Sequence, residues 1–267
     1  MNRVITFTTD FGLQDGYVGT MKGVALSINP QATLVDITHA IAPQNIQLGA
    51  LLFAASFQYF PPDAVHVVVV DPGVGGTRRA IAAQVGETRF VAPDNGVLTL
   101  ALEQMTAARP GAKIRVIHLN RSEYWLPQVS RTFHGRDIFA PVAAHLSLGV
   151  PLDALGDPID DWVHLALARP ERRPDGTISA RVIHIDRFGN VVINLAEVQL
   201  RKADWSKLVI TIGGETIKGL ENSYGDVQTG HLVALVGSAG FLEVAVRDGN
   251  AAQVLGAQIG QEVLLTP

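Results

Sequence analysis

The 267-residue chain contains no cysteine. That absence excludes disulfides, thiolate metal sites and a cysteine nucleophile, and it is compatible with a reducing compartment. Charge is also scarce: Asp, Glu, Lys and Arg make up 17% of the residues, and the formal net charge is −4. With a pI near 6.0 there is no broad basic surface to neutralise a polynucleotide backbone, so no nucleic-acid partner is expected. Long apolar runs are missing too. The longest, such as Val67 to Val70 and Ala50 to Ala55, fall far short of the ~20 residues that cross a bilayer, and no membrane span is expected. Met1 to Phe7 runs straight into a strand pattern without the apolar core of a signal peptide, which makes the cytoplasm the expected compartment. Fixed-period repeats, low-complexity tracts and long charge runs are absent, which sets aside solenoids and electrostatic tails.

What is present is apolar: 47% of the residues, enough for a large buried core at a length that suits two unequal domains. The first half alternates β-type runs with segments of helical period, the pattern of an α/β domain with a mostly parallel sheet sandwiched by helices. Strands are expected at 4–9, 33–37, 65–70, 80–85, 89–92 and 113–118, and helices at about 15–27, 44–60, 96–103 and 137–148. From Gly149 to Gly176 the chain is rich in Pro, Asp and Arg and reads as a connector. We therefore expect an α/β domain over 1–160, a linker over 161–176, and a smaller domain over 177–267. Its runs at 178–185, 191–195, 208–212, 232–236, 242–246 and 262–265, punctuated by glycine turns, suit an antiparallel β-barrel.

Several segments could carry chemistry. Thr8-Thr9-Asp10-Phe11-Gly12 ends the first strand, where ligands sit in open α/β sheets. Asp10 there can accept both hydroxyls of a ribose or simply cap the next turn. Val70-Asp71-Pro72-Gly73-Val74-Gly75-Gly76-Thr77-Arg78 delivers a carboxylate to a strand end and turns tightly through glycines. Asp71 and Arg78 read either as a functional pair or as a structural bridge across the turn. The loop lacks the Gly-Lys-Ser/Thr ending of a phosphate-binding loop. In Phe133-His134-Gly135-Arg136-Asp137, His134 suits acid-base work or an ordinary hydrogen bond, and Asp137 the N-cap or first turn of a helix. His39, His134 and His184 show no close-spaced ligand motif, so no metal is expected. Gly237-Ser238-Ala239-Gly240 lacks the context of a serine-hydrolase elbow. The 184–190 and 238–243 stretches read first as hairpin turns, able also to offer an aromatic face and hydrogen-bonding groups.

Taken in order, Thr-Thr-Asp-Phe-Gly at 8–12, Val-Asp-Pro-Gly-Val-Gly at 70–75 with Arg78, Ala-Pro-Asp-Asn-Gly at 92–96, Phe-His-Gly-Arg-Asp at 133–137, Phe-Gly-Asn at 188–190 and Gly-Ser-Ala-Gly-Phe-Leu-Glu at 237–243 resemble one family. It is the SAM hydroxide adenosyltransferases, adenosine-forming hydrolases of S-adenosylmethionine (SAM) related to fluorinase and chlorinase. The resemblance implies an α/β domain followed by a β-barrel, no metal or separate cofactor, and a homotrimer with active sites at subunit interfaces. It makes Asp71, Arg78 and His134 a catalytic triad that holds a water for attack on the ribose 5′ carbon of SAM. It also assigns Asp10 to the ribose hydroxyls, Phe188 and Asn190 to the adenine, and Ser238 and Glu243 to the methionine end, with Asp186 and Val246 as further binding residues. Ala239 stands where the halogenating relatives carry Arg. Those relatives also replace the triad Asp with Tyr, and Asp71 would oppose a halide, so water is the expected nucleophile. A SAM or adenosine sensor without turnover would leave the triad unused.

Overall fold

Val-Ile-Thr-Phe-Thr-Thr at 4–9 forms strand β1, buried from Ile5 through Thr9. The computed structural model describes residues 3–200 and 204–266. Met1 and Asn2, which open the N-terminal stretch, and Pro267, which ends the expected second domain, lie outside the described residues. The chain divides into two compact units between Ala166 and Leu167.

In the first unit β1 is joined by β2 (Thr33–Thr38), β3 (Val65–Val69), β4 (Ala80–Val85), β5 (Thr88–Pro93), β6 (Ile114–Leu119) and β7 (Gly156–Ile159). They form one sheet in the order β2-β1-β3-β5-β4-β6-β7. The pairs from β2 through β5 are parallel, and β4 is antiparallel to both β5 and β6. Parallel neighbours need crossovers, supplied by α1 (Tyr17–Ile28) and α2 (Ile46–Ser56); α3 (Thr99–Ala108) and α4 (Ala140–Ser147) follow β5 and β6. Both faces of the sheet are covered. Val67 and Val69 of β3 point to a core with Met21 and Phe139, whereas Val68 points to one with Phe53, Phe90 and Leu102. Opposite-facing neighbours along a strand require this, and it is why β3 is apolar on both sides.

β7 falls inside the stretch read as a connector, so that reading is corrected there. It is an antiparallel edge strand on β6, a place that tolerates Pro158 because its missing N–H need not serve a second neighbour.

In the second unit β8 (Glu171–Arg172), β9 (Ile178–Ile185), β10 (Val191–Ala196), β11 (Val209–Ile212), β12 (Glu215–Lys218), β13 (Leu232–Val236), β14 (Phe241–Val246) and β15 (Glu262–Thr266) form an antiparallel sheet. Its path runs β12-β11-β15-β9-β10-β14-β13, with β8 paired to β9. A bridge from Glu221 to Leu235 links the segment after β12 to β13, so the sheet nearly closes on itself around Val182, Ile193, Ile210, Val244 and Leu265. The expected α/β architecture with an antiparallel barrel is borne out. β12 and the short helices α5 (Glu197–Leu200) and α6 (Ala251–Leu255) were not anticipated: each is five residues or fewer, too short to set up a period.

Candidate active site

β3, an inner strand buried along its length, carries the chain to Asp71 just beyond its carboxyl end. The Pro-Gly-rich turn that follows is closed by bonds from the Val74 N–H to the Asp71 carbonyl (3.2 Å) and from the Gly76 N–H to the Gly73 carbonyl (3.1 Å). It returns Arg78 onto Asp71. Arg78 Nε donates to the two carboxylate oxygens at 2.9 and 3.0 Å, and its Nη2 also donates to Oδ2. The side chains are only 11% and 5% exposed, so this fork is largely shielded from water, where charge-assisted bonds hold geometry best.

The same Nη2 lies 2.7 Å from His134 Nδ1. A guanidinium only donates, so Nδ1 must accept and the neutral ring carries its proton on Nε2. Burial and the Arg78 charge hold the His134 pKa below the ordinary imidazole range, although Asp71, Asp137 and the Ser130 backbone pull the other way. Phe139 backs the guanidinium, its ring centre 5.4 Å from Arg78 Cζ. Gly75 makes the meeting of the two segments possible. Its φ is +73°, and a Cβ there would lie 2.0 Å from the Arg131 carbonyl oxygen.

His134 precedes a single π-helical turn, Gly135–Phe139, that leads into α4. The helix thus starts as expected, with Asp137 as the acid of its first turn and not its N-cap. Its fully buried carboxylate binds Arg136 Nε (2.6 Å) and the Ser130 N–H (2.8 Å), which pins the loop before His134. Burial raises the Asp137 pKa, but the Arg136 and Ser130 bonds outweigh it and hold the group below the usual carboxylate range.

Asp10 joins Asp71 on the wall of one cavity of about 360 Å³ that also includes Phe11, Tyr17 and Gln44. Asp10 Oδ2 accepts the Gln44 N–H at 2.7 Å. Gln44 adopts φ +66°, a left-handed conformation unusual for a residue with a side chain. No local sequence signal marks it. Behind Asp10, Thr9 Oγ1 lies 2.8 Å from Nδ1 of buried His39, while the Gly12 N–H donates to the His39 carbonyl at 2.8 Å. Phe133 packs edge-on against both Phe11 and Tyr17, with Tyr17 and Phe133 centres 5.1 Å apart, and Phe11 and Tyr17 are tilted to each other.

Asp186, Phe188, Asn190, Ser238, Glu243 and Val246 all line one cavity of about 700 Å³ in the second unit. Asp186 is largely occupied by its own turn: its carboxylate accepts the Phe188 and Asn190 N–H groups at 2.8 and 2.9 Å and Asn190 Nδ2 at 2.9 Å. The turn holds Asn190 in the wall and leaves Phe188 74% exposed, an open aromatic face. Tyr224, missed by the sequence reading, also lines this cavity and donates to Glu243 Oε1 at 2.6 Å. Its Ser-Tyr-Gly-Asp context reads only as a turn. Burial raises the Glu243 pKa, the Tyr224 bond opposes this, and Asp186 adds to it. Gly237 lies against Glu243, whose Oε2 would be 2.5 Å from a Cβ there.

Among the described residues, no three His, Asp or Glu side chains converge as a metal site. Nor is any helix long and apolar enough to cross a membrane.

Residues 5–156 match the SAM hydroxide adenosyltransferase N-terminal domain and residues 180–264 the C-terminal domain of that family. The chain is 40% identical over 264 residues to the (R)-S-adenosyl-L-methionine hydrolase of Salinispora tropica, covering 98% of this chain and 97% of the relative. It is 38% identical to the enzyme of that name from Thermus thermophilus, covering 98% and 99%. A fluorinase of an Actinoplanes species is more distant, 26% identical with coverage of 99% and 98%. A crystal structure of an uncharacterized conserved protein from Thermotoga maritima superposes with a TM-score of 0.88 at 39% identity, covering 98% of this chain and all of that one.

Proposed function

The chain belongs to the SAM hydroxide adenosyltransferase family, and from that premise we infer that it cleaves S-adenosyl-L-methionine with water to give adenosine and L-methionine. The observation that carries this reading is the Arg78 fork, which holds the Asp71 carboxylate and the neutral His134 ring on one guanidinium. Arg78 occupies three of the carboxylate's roughly four lone-pair positions, leaving one to accept from a water. The water oxygen bonds to the 5′ carbon as the C5′–S bond breaks. The bonding pair stays on sulfur, which departs as the neutral thioether of methionine, and the water's proton passes to Asp71 and on to solvent. Sulfonium is already a good leaving group, so no acid is needed at that end; orientation and electrostatic support of the nucleophile dominate. With Nδ1 committed to Arg78, His134 serves as a donor through Nε2 rather than as the base.

In the same reading Asp10 accepts the ribose hydroxyls, Phe188 and Asn190 take the adenine, Ser238 and Glu243 take the methionine end, and Val246 is a further binding residue in the same cavity. Asp186 acts by shaping the Phe188–Asn190 turn. The enzyme is cytoplasmic, needs no metal or separate cofactor, and works as a homotrimer with active sites at subunit interfaces. The family resemblance supports that assembly, and the mass in solution tests it. For the reaction itself, the purified full chain is incubated with SAM in 18O-water, with and without chloride, and the products are read by mass spectrometry. Both sulfonium isomers belong in the assay, since the hydrolase relatives are named for the (R) form. Adenosine carrying 18O is expected; 5′-chloroadenosine, or SAM left intact, overturns the reading.

A further inference from the structure

The Pro-Asp-Asn-Gly turn at 93–96 makes no hydrogen bond to a triad side chain, yet its position in the sheet is particular. β5 lies between β3, which enters the 70–79 loop, and β4, which leaves it. β3 and β5 run parallel and β4 runs against them, so the loop arches over the end of β5 where Asp94 and Asn95 stand. Both ends of the arch are held from below.

At the entry, Asn95 Nδ2 donates to the Val70 carbonyl at 2.8 Å, one residue before Asp71. Asn95 Oδ1 in turn accepts the Val97 N–H at 3.2 Å, which fixes the amide's orientation. At the exit, the Asp94 N–H donates to the Arg79 carbonyl at 2.9 Å, one residue after Arg78. The buried Asp94 carboxylate takes Arg79 Nε at 2.8 Å and the Val163 N–H at 2.8 Å. Arg79 also reaches Asp161, whose side chain is 73% exposed.

We infer that Asp94 and Asn95 are positioning residues for the catalytic loop: they set the separation of its two ends and thereby aim Asp71 and Arg78. The geometry gives the turn a function that its own chemistry does not suggest. An Asp71–Arg78 fork aligned to tenths of an ångström needs a rigid base, and a shift near 1 Å in such a site lowers rates by about 100-fold. The buried bonds at 70 and 79 supply that base, whereas the exposed Asp161 pair does not. The kinetic part of this inference rests on the hydrolase reading above.

Asn95→Asp is the sharpest test, because it keeps the acceptor for the Val97 N–H and replaces the donor to Val70 with a charged oxygen, setting an oxygen against an oxygen. It is compared with Asp94→Asn and with Asp161→Asn, which changes the outer partner of the same Arg79. For Asn95→Asp and Asp94→Asn we expect kcat to fall about 10- to 100-fold with KM for SAM within about threefold, and Asp161→Asn to keep the wild-type kcat. Amide exchange at Val74 and Gly76, whose bonds close the loop, reads the framing without turnover and is expected to speed up about tenfold in Asn95→Asp. A purely structural role would lower the melting temperature and leave the kcat of the folded protein intact, and that result overturns the inference. If the wild-type chain leaves SAM intact, the hydrolase reading fails on its own. Unchanged exchange at Val74 and Gly76 in Asn95→Asp would then still refute the framing, and faster exchange would support it.

Discussion

At Gly75 the Asp71–Arg78 loop passes tightly against Arg131 in the segment leading to His134, and replacing this glycine with Ala probes the site without touching a triad residue. Ordinary contact begins near 3.4 Å, whereas the new methyl would stand 2.0 Å from the Arg131 carbonyl oxygen. The Asp71–Arg78 loop and the segment leading to His134 must therefore separate by about 1.4 Å (3.4 less 2.0). Adding a side chain at φ +73° costs a further ~1–2 kcal/mol. A displacement of that size between positioned groups is expected to lower kcat by about 100-fold. The conformational strain alone corresponds to a fall of about 2–8 °C in melting temperature for a unit of this size. Gly111→Ala is the matched control: φ is +88°, but nothing lies within 4 Å of the added methyl. It should lose a comparable few degrees and keep kcat. The assay is steady-state SAM hydrolysis beside thermal melts of both variants. Equal kcat for Gly75→Ala and Gly111→Ala would refute the claim that this close approach aligns the triad.

Arg78→Lys removes the fork that binds Asp71 and His134 together; kcat should fall at least about 100-fold, since one ammonium cannot span both partners, and near-normal steady-state turnover would count against the triad. Phe188→Ala removes an aromatic face that is 74% exposed, so the fold should lose almost nothing while affinity for SAM or adenosine drops by about 1–3 kcal/mol, read by calorimetry; an unchanged affinity would remove Phe188 from the adenine site. Tyr224→Phe deletes the bond that opposes the raised Glu243 pKa, so the pH below which SAM binding weakens should move upward, and a fixed acid limb would detach Glu243 from the methionine end. Buried His66, caged by Phe53, Phe57, Phe60 and Phe90, has its pKa lowered to about 3 against an ordinary 6.5. The unfolded chain therefore binds a proton that the folded chain refuses. Stability from this group is complete above pH 6.5 and declines as pH falls, by about 2 kcal/mol between pH 7 and pH 5. Urea titrations of the wild-type and His66→Phe proteins at those two values should differ by that amount, and equal losses would refute it.

Inner strands of the first unit such as β3 were legible because they are apolar on both faces and bounded by turn residues; β1 and β4 there, and β9 and β13 in the second unit, have the expected limits. β7 was hidden by Pro158 and by the connector-like composition around it, since an edge strand needs only one partner and so tolerates residues that an inner strand cannot. Tyr224 and Gln44 were illegible for another reason. Each sits in an unremarkable turn, and its value comes from Glu243 or Asp10, nineteen and thirty-four residues away in sequence.

The sequence alone determined the α/β unit, the barrel and the ordered motifs that place the chain in its family, because periodicity and motif order are local or linear properties. Residue by residue it left Asp71 and Arg78 open between a functional pair and a structural bridge, and His134 a lone histidine; only the family resemblance made them one triad. Tertiary structure joined the three on one guanidinium, through a loop that Gly75 lets approach Arg131. It also set Asp94 and Asn95 beneath that loop by placing β5 between β3 and β4. Strand order and close approach are relations between distant segments, and no residue's local sequence encodes them.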